Sequence, residues 1–207
     1  MNDFNRKKHW ETIYSTKDLK EVSWYQKTPI TSIEFITSLN LPKTAKIIDI
    51  GGGDSLLVDH LLDLGYSNIT VLDISETAIH KAKERLGNLA DTITWIVTDI
   101  TNFIPNEKYD VWHDRATFHF LREKKEIDNY MVTTENAIRP NGALIIGTFS
   151  LDGPKKCSGI DITPYSEKSM SDLVKNSFKK LKCSYINHET PFNTTQNFIF
   201  CSFQKQE

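Results

Sequence analysis

The chain has 207 residues, 39% hydrophobic and 25% charged, which excludes disordered and fibrous classes and is enough for one α/β domain with a real core. Its 25 basic and 27 acidic residues leave a formal charge of -2, so nothing electrostatic argues for a nucleic-acid or membrane-surface partner. No apolar run approaches ~20 residues and no apolar signal region follows residues 1–8, so a cytoplasmic protein is expected. Cys157, Cys183 and Cys201 are odd in number and far apart. They support neither a disulfide framework nor a zinc site, and no metal is expected.

In chain order, the first ~45 residues read as a helical cap. A helix is predicted over 5–14, then a loop through Trp24, Tyr25 and Gln26, then a helix over 29–39 with Thr28 as its cap. A strand over 46–50 breaks into Gly51-Gly52-Gly53, followed by a helix over 55–64 closed by Gly65. Strands follow at 69–73, 93–97 and 109–113, with a helix from Ser75 to near Gly87 between the first two. A helix over 124–138 is stopped by the turn Arg139-Pro140-Asn141-Gly142. The apolar run 143–149 suits a strand buried on both faces. A loop over 151–163, a helix over 166–178 and strands near 181–188 and 197–204 complete the pattern. Five β/α units and a terminal hairpin differ from the dinucleotide-binding pattern, which repeats βαβ to its end.

The chemistry concentrates at three strand ends. Gly51, Gly52 and Gly53 leave bare backbone that a ligand can approach, and they tolerate positive φ. Ser55 stands where a helix cap is wanted. Asp49 would sit beneath this turn. Asp73, at the next strand end, is placed to accept two hydrogen bonds from ribose hydroxyls, with Ile74 against a flat base. Asp99 and Ile100, at the third, suit an adenine amino group and ring face. A dinucleotide needs Gly-x-Gly-x-x-Gly to seat its pyrophosphate. Here the helix-proximal glycine is missing and Asp54 would repel phosphate. S-adenosylmethionine has no phosphate and carries cationic groups that suit the acids at 49 and 54. The chain is therefore expected to be one domain, 1–207: a cap over 1–45, a cofactor-binding core over 46–150 and an acceptor-side segment over 151–207.

These residues resemble the class I S-adenosylmethionine-dependent methyltransferases over about residues 8–204. The glycine loop of that family, Asp/Glu-x-Gly-x-Gly-x-Gly, is matched by Asp49-Ile50-Gly51-Gly52-Gly53-Asp54-Ser55, with Ser55 in place of the last glycine. The resemblance implies a three-layer α-β-α sandwich and a mostly parallel seven-stranded sheet of order 3-2-1-4-5-7-6, strand seven antiparallel. It also implies Asp73 on the ribose, and Asp99 with Ile100 at the adenine. A narrower likeness links His113-Asp114-Arg115-Ala116-Thr117-Phe118-His119, Trp10-Glu11-x-x-Tyr14 and Trp24-Tyr25 to protein-lysine methyltransferases acting on elongation factors or citrate synthase. Arg115-Ala116 stands where those have Lys-Gly, and His119 replaces their final acid.

Methyl transfer is an in-line displacement on a sulfonium, so positioning is the main task. The acceptor is expected over the end of the fourth strand, with His113, Asp114, Arg115, Phe118 and His119 nearest the methyl group. There Asp114 would orient an amine, His113 or His119 would take its proton, and Tyr25 with Trp24 would close the pocket. Trp10, Trp95 and Trp112 read as packing residues, and Cys157 as structural. The acceptor, small molecule or protein lysine, is not legible. The competing readings are an NAD-dependent oxidoreductase and a non-catalytic module that binds an adenosyl cofactor.

Overall fold

Apolar runs that end in turns become β1 (Lys46–Ile50), β2 (Asn68–Asp73), β3 (Thr94–Val97), β4 (Tyr109–Arg115) and β5 (Ile138–Phe149) of a computed structural model. The model describes residues 4–207. Met1, Asn2 and Asp3, which open the stretch read for a targeting signal and the predicted cap, lie outside it. The helices are α1 (Arg6–Thr16), α2 (Ile30–Thr37), α3 (Leu57–Asp63), α4 (Glu76–Leu86), α5 (Lys124–Ala137) and α6 (Glu167–Val174). A two-rung ladder, β6 (Lys156–Cys157) with β7 (Ile160–Asp161), precedes the long hairpin of β8 (Phe178–Glu189) and β9 (Thr195–Lys205).

The main sheet runs β3-β2-β1-β4-β5-β9-β8. Its first five strands are mutually parallel, and β9 is antiparallel to both neighbours. Counted without the small ladder, this is the order 3-2-1-4-5-7-6 with an antiparallel seventh strand. Strand alternation splits the core in two. Ile48, Ile50, Trp112, Leu144 and Ile146 pack with Tyr130 of α5 and Met170 of α6. Ile47, Val111 and Ile145 pack on the other face with Phe35 and Ile36 of α2 and Leu57 and Leu61 of α3. Trp112 and Trp95 are packing residues of the sheet: their indole N–H groups donate to Tyr130 Oη and Ala90 O, both at 2.9 Å.

Several expectations are corrected. Arg139-Pro140-Asn141-Gly142 lies inside β5 rather than before it. Tyr109 pairs with Ile138 and Val111 with Ala143, so these four residues bulge between two rungs, with Asn141 at φ 64°. Thr28 does not cap α2 with its side chain; only its carbonyl serves, accepting from Ile30 N at 2.9 Å. The loop predicted over 151–163 contains the β6/β7 ladder, and α6 stops at Val174 because Phe178 already belongs to β8. The cysteines are not all unpaired: Cys183 and Cys201 face each other across β8 and β9, Cα atoms 4.1 Å apart, and form a disulfide. The hairpin erases a sequence separation of 18 residues that looked remote. Cys157 remains a free, buried thiol.

Candidate active site

The carboxyl ends of β1, β2 and β3 open onto one cavity, and Asp49, Asp73 and Asp99 all line it. Gly51, Gly52, Ser55, Ile74, Thr98 and Ile100 share its wall. Gly51 (φ 65°) and Gly53 (φ 49°) take the left-handed conformation that lets the chain turn here. Gly51 N and Gly52 N both donate to Leu72 O, at 2.7 and 3.2 Å, which pins the turn to β2. A Cβ on Gly51 would fall 1.8 Å from Thr117 Oγ1, and one on Gly52 2.7 Å from Asp49 Oδ2. Gly53 sits beside Asp73 and Tyr14. Ser55 Oγ accepts from Leu57 N at 3.2 Å, satisfying one open donor of the first turn of α3.

Asp73 is 5% exposed and accepts from Ser75 N at 2.8 Å. Burial, then the charges of Asp49 and Glu11, push its pKa up to about 7, against the Ser75 hydrogen bond. Such a carboxylate is short of donors until a ligand supplies them. Asp99 accepts from Thr101 N and Oγ1 at 2.9 and 2.8 Å and faces Arg6 Nη1 at 3.6 Å. Asp54 is a correction. It does not line the cavity; it pairs with Arg85, which also grips Asp59 at 3.0 Å, so its charge is spent inside the scaffold.

The roof of the cavity comes from α1. Arg6, Trp10 and Tyr14 lie four residues apart on one helix face, and all three line it. Trp10, expected only to pack within the cap, meets Trp24 and Phe120 edge-on at 5.8 and 5.2 Å. Tyr14 Oη lies where a Cβ on Gly53 would be 2.6 Å away, and burial with Asp73 and Asp54 nearby pushes its pKa well up. Glu11 fastens the roof by accepting from Glu76 N at 2.6 Å, Ser75 Oγ at 3.1 Å and Thr77 N at 3.3 Å at the start of α4. The one-face spacing of residues 6, 10 and 14 is the sequence signal that identifies this roof.

The far wall is built by β4. Alternation puts His113 and Arg115 on the cavity side and Asp114 on the opposite face. His113 Nδ1 lies 2.7 Å from Asp49 Oδ1, its direct neighbour across the β1/β4 ladder, and Nε2 lies 2.9 Å from Ser32 Oγ on α2. The carboxylate assigns the proton to Nδ1, so Nε2 accepts from the serine. Asp49, His113 and Ser32 thus form a buried chain able to hold one proton. Trp24, Pro29, Phe120 and Cys157 complete this end. Burial pushes the Cys157 thiol up to about 11, so it is no nucleophile at neutral pH.

Three expected catalytic side chains are elsewhere. Asp114 is fully buried; it accepts from Thr117 N and Phe118 N at 3.0 and 3.1 Å and from Tyr130 Oη at 2.7 Å. It holds the turn after β4 and does not line the cavity. His119 does not line the cavity. It sits against the Phe120 and Phe149 rings, 4.6 and 4.8 Å between centroids, where burial and Arg115 push its pKa down to about 3. It is a neutral packing residue. Tyr25 is half-buried off the cavity, which takes Trp24 instead. Asp114→Ala is expected to destabilise the fold by about 3–5 kcal/mol, since it orphans buried donors. Urea unfolding checks this; an unchanged midpoint would show the three bonds to be dispensable.

Among known proteins, residues 48–144 match the family model described as a methyltransferase domain. The chain is 31% identical over 107 residues to malonyl-[acyl-carrier protein] O-methyltransferase 2 of Ilyobacter polytropus, covering 51% of this chain and 40% of that one. It is 29% identical over 127 residues to the eEF1A lysine and N-terminal methyltransferase of Mus musculus, covering 60% and 18%. The chain thus spans less than half the length of these curated relatives. The N-methyltransferase NodS from Bradyrhizobium japonicum WM9, solved with S-adenosyl-L-homocysteine, superposes with a TM-score of 0.74 at 14% identity, covering 98% of this chain and 100% of that one. At that identity the likeness is one of fold.

Proposed function

We propose that this chain, whose residues 48–144 match the methyltransferase domain model and whose sheet has the order 3-2-1-4-5-7-6 of the class I S-adenosylmethionine-dependent methyltransferases, transfers a methyl group from S-adenosylmethionine to a small-molecule acceptor. One observation carries this reading: three carboxylates from three successive strands line a single cavity beside a glycine turn packed too closely to admit a Cβ. The residues fit the cofactor. Asp73 offers its oxygens to the ribose, and Ile74 and Ile100 flank the base with Asp99 at its edge. Gly51, Gly52 and Gly53 admit the chain beyond the sugar, Ser55 holds the helix start that follows, and Trp24 shields the cavity from water.

The bound cofactor supplies an activated methyl group on sulfur. The protein's part is alignment and proton management. Asp49 holds His113 in the tautomer whose Nε2 points at Ser32, so a proton leaving an acceptor beside Ser32 can pass through the hydroxyl to His113. A protein-lysine acceptor is less well served, because Asp114, the acid that would orient an amine, is engaged in the core. The non-catalytic module is disfavoured by an acceptor end whose wall keeps three polar side chains, Ser32, His113 and Arg115, among its apolar residues. Among the described residues no helix is long and apolar enough to cross a membrane. A cytoplasmic setting completes the reading; there the local redox poise would decide whether Cys183 and Cys201 stay joined.

Titration calorimetry with S-adenosylmethionine, S-adenosylhomocysteine and NAD tests the assignment. Binding of the first two without NAD is expected; NAD binding alone would overturn it in favour of a dehydrogenase. Labelled methyl groups offered to a cell lysate with the enzyme are expected in the small-molecule fraction, and label confined to protein would refute the acceptor class.

A further inference from the structure

We propose that Arg115 is the anion-binding residue of the acceptor subsite, and that the acceptor is a small acid whose carboxylate pairs with this guanidinium. The inference deepens the methyltransferase reading and rests on it. Arg115 lines the cavity, and its Nη1 donates to Trp24 O at 3.0 Å, while Nη2 is buried with no hydrogen-bond partner among the described residues. Its guanidinium lies over the Phe198 ring, 5.4 Å from the centroid.

Among the described residues no free carboxylate answers this charge. Asp49, the acid that acts on it, is already bonded to His113, and Cys157, His119 and His188 are its other titratable neighbours. Burial lowers the guanidinium pKa to about 10, so it stays cationic at neutral pH. A desolvated cation without a counter-ion is unfavourable unless the occupant of the cavity supplies one. Planar guanidinium donors match carboxylate oxygens.

Position decides which carboxylate. The residues assigned to the nucleoside belong to the β1–β3 half of the sheet. Arg115 leans the other way, over Phe198 of β9 and beside Trp24 and Cys157, where the acceptor must enter. His113 precedes it by two residues on the same strand face, about 6.6 Å away along the chain. A compact acid can therefore place its carboxylate on Arg115 and its nucleophilic atom beside Ser32 and His113.

The test uses the full chain saturated with S-adenosylhomocysteine. Calorimetry compares 2-hydroxybenzoate, mercaptoacetate and 3-aminopropanoate with their carboxamides. The wild-type complex is expected to bind at least one acid tenfold or more tightly than its amide. Arg115→Gln should reduce that preference to under about threefold and Arg115→Lys should restore part of it, with S-adenosylhomocysteine affinity within threefold throughout. Equal binding of acids and amides, or no binding of any acid, overturns the proposal; these wild-type outcomes need no variant to fold. A tenfold loss of S-adenosylhomocysteine affinity in Arg115→Gln also overturns it, by giving the guanidinium to the cofactor's own carboxylate. Failure of the wild type to bind S-adenosylhomocysteine sinks the methyltransferase reading instead.

Discussion

Asp73→Asn is expected to move ligand affinity and stability in opposite directions. The amide keeps the acceptor for Ser75 N but loses the charge that strengthens hydrogen bonds to ribose hydroxyls. Charge-assisted bonds of that kind are worth about 1.5–3 kcal/mol, so affinity for S-adenosylhomocysteine should fall at least about tenfold. Stability should rise. The folded pKa of Asp73, about 7, lies above its unfolded value, so the folded chain holds the proton more tightly. The contribution of this group to stability is therefore fullest below the unfolded pKa near 4 and is lost as pH rises through 7. A neutral amide avoids that loss. The ligand-free variant should gain on the order of 2–4 kcal/mol at pH 8 and much less at pH 5. Urea unfolding at both pH values, with calorimetry at pH 8, reads out the two halves. Unchanged affinity would remove Asp73 from the ribose, and no gain at pH 8 would show that its charge is not held at a cost.

Gly51→Ala should damage both the fold and the cavity. An L residue at φ 65° costs roughly 1–2 kcal/mol, and the added methyl meets Thr117 Oγ1 at 1.8 Å and Thr117 Cβ at 3.0 Å. Overpacking of this kind adds about 1–3 kcal/mol, for a total of about 2–5 kcal/mol. Because the turn carries the bare backbone of the cofactor site, S-adenosylhomocysteine binding should be lost with it. Thr117→Ala removes the closer clash but leaves the backbone strain. Gly51→Ala combined with Thr117→Ala should therefore be less destabilised than the sum of the single changes, by about 1 kcal/mol or more. Additive effects in a double-mutant cycle would place the damage in the backbone alone.

The β1–β3 rim was legible because strand, turn and acid fall within short windows: each carboxylate needs only its own strand end to be placed. The β4 end was misread for one local reason. The strand was expected to stop at His113, which left Asp114 in a loop and free to face a ligand. It runs on to Arg115, and two-residue alternation then fixes every side chain. Val111, His113 and Arg115 take one face, and Trp112 and Asp114 the other. Two more residues of strand would have kept Arg115 in the expected site and removed Asp114 from it. Ser32 and Glu11 were not recoverable from local pattern, since each acts through a helix that docks from elsewhere in the chain. The Cys183–Cys201 pair is of the same kind: only the hairpin register makes them neighbours.

The roof helix carries one more consequence. None of its residues is fully buried, and it is held by Glu11 at α4 and by Arg6, which reaches Glu126 at 2.5 Å. Eleven residues are too few to stay helical in water without support. An occupant that touches Trp10 and Tyr14 adds contacts to a wall that Trp24, Phe120, Glu11 and Arg6 already hold in place, so filling the chamber should steady the amino-terminal helix further.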